Sequence, residues 1–210
     1  MTIYRLLENS YFDPERVEKV AKAFEDIVRS LWLDRAEPVT ELIAKKVFQI
    51  AQTGESDPDR VREKTLAELG VIVPAREAPE FGPDRNIMLD RARSTVLIVE
   101  DDAIFAYTAS RYFESLGYTI VVASGSFMAF RELDRQPVNA VIADVRLNGG
   151  EPHGVALGRM IRNRDPEMPV LLVTAYPDLV EKEKPLPGPV FPKPVELRQL
   201  ASALGSALAR

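Results

Sequence analysis

Val96-Leu97-Ile98-Val99-Glu100-Asp101-Asp102 is a run of four apolar residues that stops at three carboxylates. The run is too short for a buried helix and rich in β-branched residues, so it predicts a strand covered on both faces. Later stretches repeat the plan. Ala140-Val141-Ile142-Ala143 stops at Asp144, Val170-Leu171-Leu172-Val173 stops at Thr174, and Val190-Phe191-Pro192 stops at Lys193-Pro194. Residues delivered at the exits of parallel strands share one crevice, because open α/β sheets bind ligands outside the carboxyl ends of their strands.

Between these runs lie helix-like stretches at about 103–116, 127–134, 155–163 and 195–209, and a further strand-like run at Tyr118–Val122. Gly117 stands where the first of these helices should stop. Five βα repeats predict a doubly wound parallel sheet.

The strand exits have a common chemistry. Glu100, Asp101 and Asp144 in one crevice repel one another, and a divalent cation relieves that repulsion. Mg²⁺ suits the site, since it takes hard oxygen ligands from one or two carboxylates and a phosphate. Lys193 offers a point charge to a phosphoryl oxygen, and Thr174 a hydroxyl. Together they complement a phosphoryl group carried on a carboxylate.

Residues 94–210 resemble the receiver domain of two-component response regulators. The motifs carrying the resemblance are the acidic pair Glu100-Asp101, the acceptor Asp144, Thr174-Ala175, and Lys193-Pro194, in order and each at a strand exit. The resemblance implies a flavodoxin-like five-stranded sheet of order 2-1-3-4-5. It implies that Asp144 takes a phosphoryl group from a histidine kinase or phosphotransfer protein. Mg²⁺ would be held by Glu100, Asp101 and Asp144 with the backbone of Val145 or Arg146. Lys193 would pair with the phosphoryl oxygens, Thr174 would turn inward, and the Lys193-Pro194 bond would be cis. Such a protein is a phosphoacceptor with slow Mg²⁺-dependent autodephosphorylation rather than an enzyme in the usual sense. A haloacid dehalogenase-type phosphatase would combine similar groups, but its Asp-x-Asp nucleophile is not supplied by Glu100-Asp101-Asp102.

Departures from the family pattern cluster late in the chain. The loop 145–154 is about two residues long in excess, with Asn148 where proline is usual. The fourth helix is broken by Pro177, Pro185, Pro187 and Pro189, and proline is costly inside a helix. Val190 occupies the place of the switch aromatic; Phe191 points to the other strand face, and Tyr176 is a candidate substitute. Asp102 is expected to cap the helix after strand 1. His153, the single histidine, is expected to be an ordinary loop residue.

The first 74 residues predict a small all-α module. Asp13-Pro14 and Asp57-Pro58 are helix-start signals. Val17, Val20, Ala21, Phe24, Ile27, Val28 and Leu31 form one apolar stripe, and Leu42, Ile43, Val47 and Ile50 a second. A third helix, through Val61 and Leu66, ends at Gly70. Leu6, Leu7, Tyr11 and Phe12 are expected to cover the end of the first stripe. Its small size favours association, so a homodimer through these helices is an expectation. Pro74, Pro79, Gly82 and Pro83 among charged residues predict a linker over 75–93.

Residues 1–93 carry 15 Lys/Arg against 18 Asp/Glu, and residues 94–210 carry 12 against 14. Neither half has the cationic surplus that phosphate neutralisation requires, so nucleic-acid binding is disfavoured; a transcriptional regulator reading DNA through the N-terminal helices is a minor alternative. There is no cysteine, which excludes thiolate metal sites. No apolar run approaches the roughly 18 residues of a membrane span, and a cytoplasmic location is expected. The chain ends with its last helix, so the expected output is contact with an unidentified downstream protein. A pseudo-receiver that binds partners constitutively is the main alternative.

Overall fold

The computed structural model describes residues 2–8, 10–31, 33–34, 37–72, 94–147 and 153–209. Two units divide it, Met1–Arg76 and Glu77–Arg210. The linker expected at 75–93 lies outside the described residues.

Among the described residues the first unit holds four helices: α1 (Thr2–Glu8), α2 (Pro14–Ser30), α3 (Pro38–Gln52) and α4 (Pro58–Glu68). Both Asp-Pro signals act as read. The Asp13 carboxylate accepts from Arg16 N at 2.9 Å and that of Asp57 from Arg60 N at 2.9 Å, which satisfies first-turn N–H groups left without helical partners. Val20, Phe24 and Ile27 of α2 are buried with Ile43 and Val47 of α3 and Val61 and Leu66 of α4. Gly70, at φ +74°, takes the left-handed conformation that ends α4.

Two expectations for this unit need correction. The segment before Asp13 is not merely a cover but a helix of its own, with Ile3 and Leu7 buried, whereas Tyr11 is fully exposed. Seven residues are too few for periodicity to be recognised. Leu42 lies outward at 42% exposure. The inward face of α3 runs through Val39, Ile43, Val47 and Ile50, with Thr40, Ala44 and Ala51 beside them, and Leu42 lies one step round the helix from Ile43.

The second unit is the predicted α/β fold. Its elements are β1 (Thr95–Val99), α5 (Ala103–Ser115), β2 (Thr119–Ala123), α6 (Ser126–Arg135), β3 (Ala140–Asp144), α7 (Gly154–Arg164), β4 (Val170–Thr174), α8 (Pro177–Val180), β5 (Val190–Pro192) and α9 (Leu197–Leu208). These five strands pair in parallel in the order β2-β1-β3-β4-β5. Leu97, Val99, Val141, Ala143, Val170 and Leu172 pack in one core with Ala129 of α6, Val155, Leu157 and Ile161 of α7 and Val180 of α8. The alternate residues Val96, Ile98, Ile142, Leu171 and Val173 are buried as well, on the opposite face of the pleat. Being buried on both faces, these strands carry no polar alternation.

The weak fourth helix is as short as its prolines require: one turn, Pro177–Val180, followed by a 3₁₀ turn at Glu181–Glu183. It is nevertheless tied down. The Arg159 guanidinium of α7 donates to the Glu183 carbonyl and to Pro185 O, and pairs with the Glu183 carboxylate at 3.3 Å. A Cβ on Gly188 would stand 1.7 Å from Val170 O, so glycine lets this segment lie directly on β4. Both Lys184-Pro185 and Lys193-Pro194 are cis. No helix among the described residues is long and apolar enough to cross a membrane.

Candidate functional site: an acidic crevice bridged by a lysine

Strand register builds the crevice. Val99 lies level with Ala143, so Glu100 and Asp144 leave adjacent strands at the same height. Asp144 lies level with Val173 and Thr174 with Pro192, which places Lys193 one residue beyond the same edge. The turns out of the strands are braced. Asp102 caps α5 by accepting from Ile104 N at 2.8 Å and Phe105 N at 2.9 Å. Gly154 lies so close that a Cβ there would stand 2.0 Å from Asp144 O.

Glu100, Asp101 and Asp144 each present a carboxylate oxygen within 4.8 Å of the others. Lys193 Nζ donates to Glu100 Oε2 at 2.6 Å and to Asp144 Oδ2 at 2.8 Å. Arg146 N donates to Asp144 Oδ1 at 3.1 Å, and Asp102 N to Glu100 Oε1 at 3.1 Å. Burial, and then the charge of Asp144, push the Glu100 carboxyl up to about 7, with Lys193 opposing the shift. Burial alone would lower the Lys193 pKa, but Glu100 and Asp144 more than offset it and hold the ammonium above its usual range. The crevice thus stores carboxylate repulsion that one bridging ammonium relieves only in part.

This donor set fits Mg²⁺: hard oxygens, partly buried, close enough to converge on one ion. A dication would favour ionised Glu100 and take over charge neutralisation from Lys193.

Thr174 is fully buried, and its Oγ1 accepts from Tyr176 N at 2.9 Å. All five residues singled out from the sequence therefore line one edge of the sheet. Tyr176 is 47% exposed, with the Arg146 guanidinium 4.6 Å from its ring centroid. Its ring stacks outward on Arg146. Phe191 and Val190 are half-buried. His153 is more than a plain loop residue: its Nδ1 accepts from Ala156 N at 3.4 Å, at the start of α7, and Nε2 is 3.6 Å from Glu183. Sequence reading also missed Phe105, whose ring lies under the Lys193 ammonium at 4.2 Å. A lone aromatic on an apolar helix face gives no signal of such a role.

Residues 96–204 match the response regulator receiver domain family. The chain belongs to this family. Receiver domains are phosphoacceptors in two-component signalling, work with histidine kinases or phosphotransfer proteins, and generally bind Mg²⁺ at an acidic pocket. The receiver is 32% identical over 116 residues to the transcriptional regulatory protein GlrR of Escherichia coli K12, covering 54% of this chain and 26% of that one. A Rickettsia felis protein named as an NtrX-like response regulator is 33% identical over 81 residues, 39% of this chain and 17% of that one. The chain thus spans about a quarter or less of the length of these relatives. A sensor protein from Polaromonas sp. JS666 has the same fold, at 25% identity and TM-score 0.51, over 56% of this chain and 97% of that one.

Proposed function

We propose that this chain is a response regulator that takes a phosphoryl group onto Asp144 from the phosphohistidine of a histidine kinase or phosphotransfer protein. The observation that carries this reading is the Lys193 ammonium held between Glu100 and Asp144, with Asp101 beside them. An Asp144 oxygen attacks phosphorus, the bond from phosphorus to the donor nitrogen breaks, and the imidazole leaves with its electron pair. Arg146 N and Lys193 Nζ orient the two Asp144 oxygens. Lys193 then follows the charge onto the phosphoryl oxygens, and Thr174 gives up its bond to Tyr176 N to reach the new group. Glu100, Asp101 and Asp144 would hold Mg²⁺, which supplies charge neutralisation. The Val145 carbonyl already accepts from Gly154 N, leaving the Arg146 carbonyl as the better main-chain ligand. Autodephosphorylation is a separate, slow hydrolysis: water attacks phosphorus, the bond from phosphorus to the Asp144 oxygen breaks, and inorganic phosphate leaves with Asp144 regenerated as a carboxylate.

In this proposal residues 1–74 form a helical module, 75–93 a linker and 94–210 the receiver. Output runs through contact with a downstream protein, by the N-terminal helices, which also offer a homodimer contact, or by a surface other than the one built on α8, β5 and α9.

The test is incubation with acetyl phosphate and Mg²⁺ followed by intact mass. One phosphoryl adduct on the wild type and none on Asp144→Asn supports the reading. An adduct that survives Asp144→Asn and is lost in Asp101→Asn points instead to a nucleophile after β1. A second reading, a pseudo-receiver binding its partner constitutively, is favoured by Val190 at the switch-aromatic position and by the outward Tyr176. Absence of any adduct from acetyl phosphate and from a phosphorylated kinase panel supports that alternative.

A further inference from the structure

The Lys193 ammonium has three N–H donors. Two go to Glu100 Oε2 and Asp144 Oδ2. Beneath it lies the face of Phe105, 4.2 Å from ring centroid to Nζ. Phe105 is 2% exposed and sits in the first turn of α5. Its backbone N–H is held by the Asp102 cap at 2.9 Å. The ring is therefore fixed by burial and by a main-chain bond beside the residues that leave β1. The Lys193 side chain is itself only 12% exposed, so the ammonium meets the ring's negative face in a largely dry setting, where cation–π attraction is strongest.

We infer that Phe105 is a positioning residue for phosphoryl transfer: its ring face holds the Lys193 ammonium over Asp144 when the carboxylates turn to other partners. This rests on the proposed function. In the resting crevice two carboxylates hold Lys193. In phosphoryl transfer both acquire competitors, a dication at Glu100 and Asp144 and a phosphoryl group on Asp144. The ring has no such competitor, being unable to ligate Mg²⁺ or accept a phosphoryl group. It keeps a flexible four-carbon side chain from swinging out of the crevice at the stage when its charge must meet the phosphoryl oxygens. An aliphatic residue would fill the same space without a face that attracts cations.

The test separates shape from charge attraction. Phenylalanine 105 is replaced by Leu, by Tyr, and by 3,4,5-trifluorophenylalanine, which keeps the ring outline while weakening its negative face. Two quantities are read on the full chain. The first is labelling of Lys193 by an amine-reactive ester, measured by peptide mass spectrometry against the other lysines with Mg²⁺ present, so that the dication competes for Glu100 and Asp144, and without phosphodonor. The second is the rate of adduct formation with acetyl phosphate and Mg²⁺. Expected are raised Lys193 labelling and phosphorylation about tenfold slower in Phe105→Leu and in the fluorinated variant, with Phe105→Tyr close to wild type. Far-ultraviolet circular dichroism confirms folding, and the fluorinated variant carries the test should Phe105→Leu unfold. Unchanged Lys193 labelling in the fluorinated variant overturns the inference. Raised labelling with unchanged phosphorylation overturns the catalytic part. Raised labelling in the variants together with no adduct on the wild type overturns the proposed function while leaving the ring's hold on Lys193 in place.

Discussion

The two ends of one sheet edge are built in opposite ways. At the exits of β1 and β3, buried strands deliver carboxylates that Lys193 and main-chain N–H groups bond within about one layer of the sheet. Along α8 and β5 the chain carries four prolines, one helical turn and a 3₁₀ turn, and Val190 stands where the family resemblance places a switch aromatic. That second region is not loose, since Arg159, Gly188 and the core residue Val180 seat it against α7 and β4. Chemistry at the first region depends on a few side chains held by strand register. In the proposed function, reporting that chemistry to a partner depends on how a whole element packs, and the second region packs in its own way.

Glycine substitutions test whether the two regions are separable, and they carry the largest expected effects. Gly188→Ala and Gly154→Ala each force a backbone clash, at about 3 kcal/mol, read as a lowered unfolding midpoint. They should differ in chemistry. Folded Gly154→Ala loses phosphorylation because Asp144 O must move, whereas folded Gly188→Ala keeps it. Equal loss in both would erase the distinction.

Lys193→Met sharpens it from the acidic side. Removing the ammonium leaves Glu100 and Asp144 buried without their bridge, at about 3 kcal/mol in metal-free buffer. Mg²⁺ should restore most of that stability, as measured by denaturant melts with and without the ion. A variant as stable as wild type without metal would show that Lys193 does little to offset the carboxylates.

Acidity gives a smaller, signed effect. Glu100 rises from 4.5 to about 7 on folding, so between those values the folded protein holds more protons than the unfolded chain. This group's contribution to stability is complete below pH 4.5 and is lost as pH rises through about 7. Lys193, raised above 10.5, changes nothing in that window. Metal-free wild type should therefore lose stability relative to Glu100→Gln between about pH 5 and 8, and Mg²⁺ should bind more tightly at the upper end. A wild type that instead gains on Glu100→Gln over that range contradicts the assignment.

The smallest expected effect comes from the second region. Val190→Tyr places an aromatic at the half-buried position on β5 and should leave the acetyl phosphate rate within about twofold, since Val190 lies level with Leu172, two residues before Thr174 at the crevice edge. A large change in rate would tie the two regions together after all.

The legibility of the molecule divides along the same line. Asp13, Asp57 and Asp102 announce helix starts because a carboxylate three residues ahead of a free N–H needs no tertiary partner to act. Strands β1, β3 and β4 announce themselves because burial on both faces demands unbroken apolar runs. Glu100, Asp101, Asp144, Thr174 and Lys193 were readable because each stands where such a run stops. Helix α1 was too short to show a period, and Leu42 belonged to the wrong step of a real one. The hold of Arg159 on Glu183 and Pro185 left no mark in the local pattern, since its partners lie more than twenty residues away.

By itself, then, the sequence determined the order of the strands and of the helices after α1, the breaks at proline, and the identity of the residues at each strand exit. Those properties follow from local backbone preference and from which faces must be buried. Only the tertiary structure decided that Lys193 bridges Glu100 and Asp144, that Phe105 lies beneath it, and that Tyr176 stacks outward on Arg146. These are meetings between residues distant in sequence, set by strand register and close packing.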